Sequence, residues 1–172
     1  KHTPLPCLVQ DELRRAHGHS LSTLRTDLKI LISWGRKHVN LVSLSATQDS
    51  DLNDLLVRQC HGLVLDMHQK WDVVARPFDV FPTLKPDETP LITNWGDMLV
   101  QERLDGIRYH LYCYKGEWQV GTLNSPDGNE PATMAPNKYQ SYADLFWEQW
   151  EAHGYELPSV ARWGDWCFSW EL

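Results

Sequence analysis

Two guanidinium groups and several carboxylates lie in segments whose chemistry suits work on a phosphate. Glu102-Arg103-Leu104-Asp105-Gly106 sets an arginine among acids just before a glycine, and Arg76 opens Arg76-Pro77-Phe78. A guanidinium is always charged and grips phosphate oxygens with a rigid fork of donors, so Arg103 is a candidate anion clamp. For Arg103 the competing reading is a salt bridge with Glu102 or Asp105. A glycine such as Gly106 lets the backbone turn sharply and approach a ligand. His61, in Cys60-His61-Gly62, is either a general base or a hydrogen-bonded structural residue. Asp66, Asp72 and Asp79 are spaced for strand ends and turns, and no metal cluster is read among them. The four cysteines, Cys7, Cys60, Cys113 and Cys167, form no CxxC pair, which counts against a zinc site. They read as reduced thiols of an intracellular protein.

These residues must be held by elements that the periodicity outlines. Leu13, Leu21, Leu24 and Leu28 alternate with charges over residues 9–28, suggesting one or two short helices. Lys29–Trp34 and Val39–Leu44 read as a hairpin joined through Gly35-Arg36-Lys37-His38. His61–Asp66 and Trp71–Ala75 read as a second pair of strands, followed by an extended segment at Arg76-Pro77-Phe78 and Phe81-Pro82. Met98–Glu102 is expected to be a short strand. Ile107–Tyr114 and Glu117–Thr122 are apolar-rich strands, and Lys115-Gly116 between them offers a tight turn. Asn124–Asn137 is rich in loop formers. Ser141-x-x-Asp144 resembles a capping box opening a helix whose face carries Tyr142, Leu145, Phe146, Gln149, Trp150 and His153, with Gly154 at its end. Trp166–Leu172 reads as a strand. Mostly antiparallel strands with flanking helices make an α+β pattern. The expected division is a helical segment over 1–24 and a main domain over 25–172.

Composition narrows the function. The formal charge of −7 and the lack of any Lys/Arg run count against indiscriminate nucleic-acid binding, although a local basic groove stays open. Hydrophobic residues at 42% and charged residues at 23% fit a globular chain able to bury a core. No apolar run is long enough to cross a membrane, so a soluble, cytoplasmic protein is expected. The nine tryptophans are read mainly as packing residues, Trp147 and Trp150 among them.

Order and spacing together carry a resemblance. Cys60–Asp66 is followed by Trp71-Asp72-Val73-Val74-Ala75-Arg76-Pro77-Phe78-Asp79-Val80-Phe81, then Val100-Gln101-Glu102-Arg103-Leu104-Asp105-Gly106, Gly116-Glu117-Trp118-Gln119-Val120-Gly121-Thr122 and Phe168-Ser169-Trp170-Glu171-Leu172. Over roughly residues 25–172 the chain resembles the phage-type ATP-dependent RNA ligases of the covalent nucleotidyltransferase superfamily. The resemblance implies a nucleotidyltransferase (ATP-grasp-like ligase) domain using ATP and Mg. In that chemistry a lysine takes AMP from ATP, passes it to a 5′-phosphate RNA end, and a 3′-hydroxyl displaces it. It also implies that Glu102, Arg103, Asp105, Gly106, Arg76, His61 and Glu171 line a nucleotide pocket, with Glu171 against the ribose or in a structural hydrogen bond.

The nucleophile's position holds Arg103. A guanidinium with a pKa above about 12 cannot lose the proton that nucleophilic attack requires. Other positions depart as well. His61 stands where the family has arginine, Val80 and Leu123 where it has basic residues, Asn124 where it has glycine and Ile107 where it has serine. Ser45 and Ala46 align with a family Lys-Tyr pair. The roughly −4 charge of ATP would find little compensation here. No catalytic residue and no metal ligand is therefore expected. Two further family motifs downstream of Glu171 are absent, so either the chain is a piece of a longer protein or the domain is truncated. A truncated sheet would leave an edge for a protein partner to cover. Three roles follow: a degenerate ligase serving as a binding or interaction module, with RNA ends or a protein as partner; a true RNA ligase with its lysine replaced; or a non-covalent nucleotide sensor.

Overall fold

A computed structural model describes residues 6–15, 18, 20–81, 94, 96, 99, 101–102, 105–133 and 138–172. Leu8–Arg14 (α1) and Leu21–Thr26 (α2) precede Ile30–Trp34 (β1) and Leu41–Ala46 (β2). Leu55–Gln59 (α3), His61–Asp66 (β3) and Asp72–Ala75 (β4) follow, then Arg108–Tyr114 (β5) and Glu117–Thr122 (β6). Tyr142–Ala152 (α4), Val160–Trp163 (α5) and Cys167–Glu171 (β7) close the order. The strands form two antiparallel sheets, β1-β2-β3-β4 and β6-β5-β7. The molecule is α+β, as expected.

Side-chain alternation divides the strands into layers. In β2 and β3, Val42, Leu44, Leu63 and Leu65 point to one face, where they join Cys7, Val9, Leu24, Leu56 and Val57 of the helical segments in one core. The first helices therefore share a core with the first sheet. On the opposite face Leu41, Val64 and Ala75 meet Tyr112 and Tyr114 of β5. The other face of β5 gives Tyr109 and Leu111, which pack with Val120 on Phe146 and Trp150 of α4. The result is a stack of helices, sheet, sheet and helix. Each fully buried Leu or Val side chain in such layers stabilises by about 1.5–3 kcal/mol.

The layer between the sheets is partly polar, and hydrogen bonds satisfy most of it. Asp66 is only 2% exposed. Its carboxylate accepts from Tyr114 Oη at 2.7 Å and from the His68 amide at 2.9 Å. Burial pushes its pKa up, but hydrogen bonds from Asn40, Tyr114 and the His68 and Gln69 amides outweigh burial and hold it below the usual range. Tyr114→Phe leaves that buried carboxylate one donor short, a loss of about 2 kcal/mol expected in urea unfolding. An unchanged unfolding midpoint would show that the pair carries no stability. At the same end of the sheets, Asp127 accepts from the Lys37 amide at 2.6 Å, tying the loop after β6 to the β1–β2 turn.

Local signals in the chain explain several boundaries. Lys115 and Gly116 both have positive φ (53° and 84°), giving the tight β5–β6 turn. Ser141 and Asp144 form a reciprocal capping box at the start of α4. Gly154, with φ 66°, follows the end of that helix. Other boundaries differ from expectation. β2 runs Leu41–Ala46 rather than Val39–Leu44, because Val39 and Asn40 belong to the turn. β4 begins at Asp72 because Trp71 takes a left-handed φ of 63° that extended pairing forbids. Helices α3 and α5 were not foreseen. Most of the expected Met98–Glu102 strand lies outside the described residues; Leu99, Gln101 and Glu102 are not in a strand.

The four cysteines are free thiols. Among the described residues no helix is long and apolar enough to cross a membrane. Trp150 is buried within the α4 core, with Trp147 packed beside it.

Candidate functional site

Three charged or titratable side chains converge where β3, β5 and β7 lie together. The β5–β7 register pairs Arg108 directly with Glu171. Arg108 Nε donates to Glu171 Oε1 at 2.9 Å, and Arg108 Nη1 lies 2.6 Å from His61 Nε2. A guanidinium only donates, so His61 Nε2 must accept, which requires a neutral ring protonated at Nδ1. The environment favours that state. Burial lowers the His61 pKa first and the adjacent Arg108 charge lowers it further, while Asp79 acts in the opposite sense.

His110 lies one step further along the same face of β5. It is fully buried, and neither ring nitrogen has a hydrogen-bond partner among the described residues. Burial, reinforced by His61 and Arg108, drives its pKa down to about 3. Two glycines make room for its ring. A Cβ on Gly62 of β3 would stand 2.9 Å from His110 Cε1, and one on Gly121 of β6 would stand 2.9 Å from His110 Nε2. Gly62 also has φ 80°, and its amide donates to Ser45 Oγ at 3.1 Å, next to the irregularity in β2–β3 pairing.

The other candidates are placed differently. Arg76, after β4, donates to the Pro6 carbonyl at 3.0 Å and pairs with Asp79 at 3.4 Å. Its guanidinium thus braces the N-terminal segment against β4, while Asp79 acts on both Arg76 and His61. Glu102, Asp105 and Gly106 are exposed. Gly106 has a structural requirement: a Cβ there would run into the Leu172 carbonyl, because Ile107 and Leu172 extend the β5–β7 ladder with bonds of 2.7 and 3.1 Å. Arg103 lies outside the described residues. The structure therefore brings His61 and Glu171 together, and it does so through Arg108.

Arg108 escaped the sequence reading. A detectable signal existed, since it shares the strand alternation of His110, Tyr112 and Tyr114. Its meaning depends on Glu171, 63 residues away. The positions that depart from the family pattern are also engaged. The Leu123 carbonyl accepts from Ser43 Oγ at 3.3 Å and from Ser45 Oγ, and a Cβ on Gly62 would meet the Leu123 side chain. The Val80 amide donates to the Arg58 carbonyl at 2.8 Å. Lys115 sits at the β5–β6 turn beside the Tyr114 ring, about 20 Å of strand from Arg108.

The geometry makes a proton-poor, charge-neutralised cluster in which one cation serves one anion and one neutral imidazole. Among the described residues, no group of three or more His, Cys, Asp or Glu side chains is arranged to hold a metal ion. The folded architecture defines the chain as an α+β protein of two antiparallel sheets. Comparison with family models, with curated proteins and with solved structures finds no match.

Proposed function

We propose that this chain is a degenerate RNA-ligase-like nucleotidyltransferase domain, kept as a binding or interaction module rather than as a ligase, in RNA repair or processing. The observation that carries the reading is Arg103 at the position where the resemblance places the nucleophilic lysine. A guanidinium that stays protonated has no lone pair to offer the α-phosphate. The two described arginines at or beside family positions support the same reading. Arg108 is committed to Glu171 and His61, Arg76 to Pro6 and Asp79. A triphosphate entering here would have to displace one of these pairs. Val80 and Leu123 supply no charge in exchange.

Incubation with α-labelled ATP and Mg, followed by a denaturing gel, tests the reading. No labelled band is expected from the chain, and none from Arg103→Lys, since one restored amine leaves the other replaced contacts unmade. A band from the unaltered chain would establish a ligase-type enzyme. A band from Arg103→Lys alone would show a pocket still competent in all but its nucleophile, and would overturn the degenerate reading. Thermal shift with ATP covers the sensor role, because a specific ligand must raise the melting temperature by linkage; no rise is expected.

A further inference from the structure

A cleft of about 860 Å³ runs along β4, the edge strand of the first sheet. The start of α1 forms one wall and the segment entering β7 forms the other. Among the described residues its rim carries Asp11, Asp72, Asp79 and Asp165, against one cation, Arg76, which already serves Pro6 and Asp79. Asp72 is paired with Arg14 at 2.5 Å. Among the described residues Asp11 and Asp165 have no ion-pair partner and both are exposed. The apolar part of the lining is large and open to solvent: Phe78 is 58% exposed and Trp166 48%. Phe81, 64% exposed, continues this surface with its ring 5.6 Å from that of Phe78.

Each feature restricts the occupant. A sheet edge offers backbone donors and acceptors to an extended chain. Exposed aromatic rings beside it supply stacking surface for apolar and cationic side chains. The uncompensated carboxylates repel phosphate and attract ammonium or guanidinium groups. We infer that the β4 cleft is a docking surface for an extended basic peptide segment of a partner protein, added along the β4 edge with Lys or Arg against the aspartates and an apolar side chain against Phe78 and Trp166. Among the described residues the cleft shares only Arg76 with the positions that the resemblance places at the nucleotide pocket, so an AMP adduct would end the function proposed above and leave Asp11, Asp165, Phe78 and Trp166 available to a peptide.

The test uses the whole chain and a fluorescein-labelled peptide of alternating Lys and Val, about eight residues long to match a strand. Controls replace Lys by Glu, or Val by Pro, which cannot donate in a strand ladder. Saturable binding of the Lys-Val peptide alone is expected, weakening as salt is raised. The doubly substituted Asp11→Asn/Asp165→Asn chain is expected to bind at least about fivefold more weakly, as is Phe78→Ala. All three positions are exposed, so far-ultraviolet circular dichroism should match the parent. Hydrogen exchange should slow at residues 72–75 when peptide is bound. Equal binding of the acidic or proline peptide, affinity unmoved by the substitutions, displacement by a 5′-phosphorylated RNA oligonucleotide, or no binding of the Lys-Val peptide would each overturn the assignment.

Discussion

Gly62→Ala is expected to destabilise the protein by about 4 kcal/mol, enough to unfold a large share of molecules of ordinary stability. Two costs add. Alanine must adopt a φ of 80°, a left-handed conformation that L side chains resist. Its Cβ must also fit where His110 Cε1, on a fully buried ring, would be only 2.9 Å away and Leu123 Cδ2, on a half-buried side chain, 3.2 Å away. The costs can be separated. In a Gly62→Ala/His110→Ala double variant the clash with the ring vanishes, while the backbone share and the contact with Leu123 remain. Urea unfolding of the four chains in that cycle should show a favourable coupling of roughly 2 kcal/mol. Strict additivity would mean that the ring and the glycine do not constrain one another.

Stability is expected to fall by about 3 kcal/mol between pH 8 and pH 4, through His110. The sign follows from which state takes up the proton. His110 has a folded-state pKa near 3 against an ordinary value of 6.5. Above pH 6.5 the ring is neutral whether folded or unfolded, and the native state suffers no penalty. As the pH drops through 6.5 only the unfolded chain binds the proton, and folding loses ground until about pH 3. His61, also lowered, acts in the same sense. Asp66, held below its usual range, adds an acid loss at the low end of that window. His110→Leu removes the main contributor together with its two unpartnered nitrogens. Denaturant midpoints of parent and variant, followed from pH 8 to pH 4, should diverge in favour of the variant. Parallel curves would place the titrating group elsewhere.

Much of the frame was legible because its signals are local. The capping box at Ser141 and Asp144, the Lys115-Gly116 turn and the apolar-rich runs Ile107–Tyr114 and Glu117–Thr122 each act within a few residues, and the structure follows them. What escaped is non-local or too short to show a period. Helix α3 spans five residues, less than two turns, and gives no amphipathic pattern to detect. The left-handed Trp71 has a side chain that announces an extended strand, yet the turn geometry overrides it. The site was legible only in part for the same reason. His61 and Glu171 stand out through resemblance, whereas Arg108, the residue that joins them, gains its role from strand register alone.

That register has a kinetic side. β5 and β6 meet across a two-residue turn and can zip within microseconds. The β5–β7 ladder must instead close a loop from Arg108 to Glu171, which costs more chain entropy before it returns any contact. Synthesis from the N-terminus adds to the delay, since β7 is made after every other element described. The His61–Arg108–Glu171 cluster is thus a late product of folding. Until it forms, the bare flank of β5 is open to capture by neighbouring nascent chains.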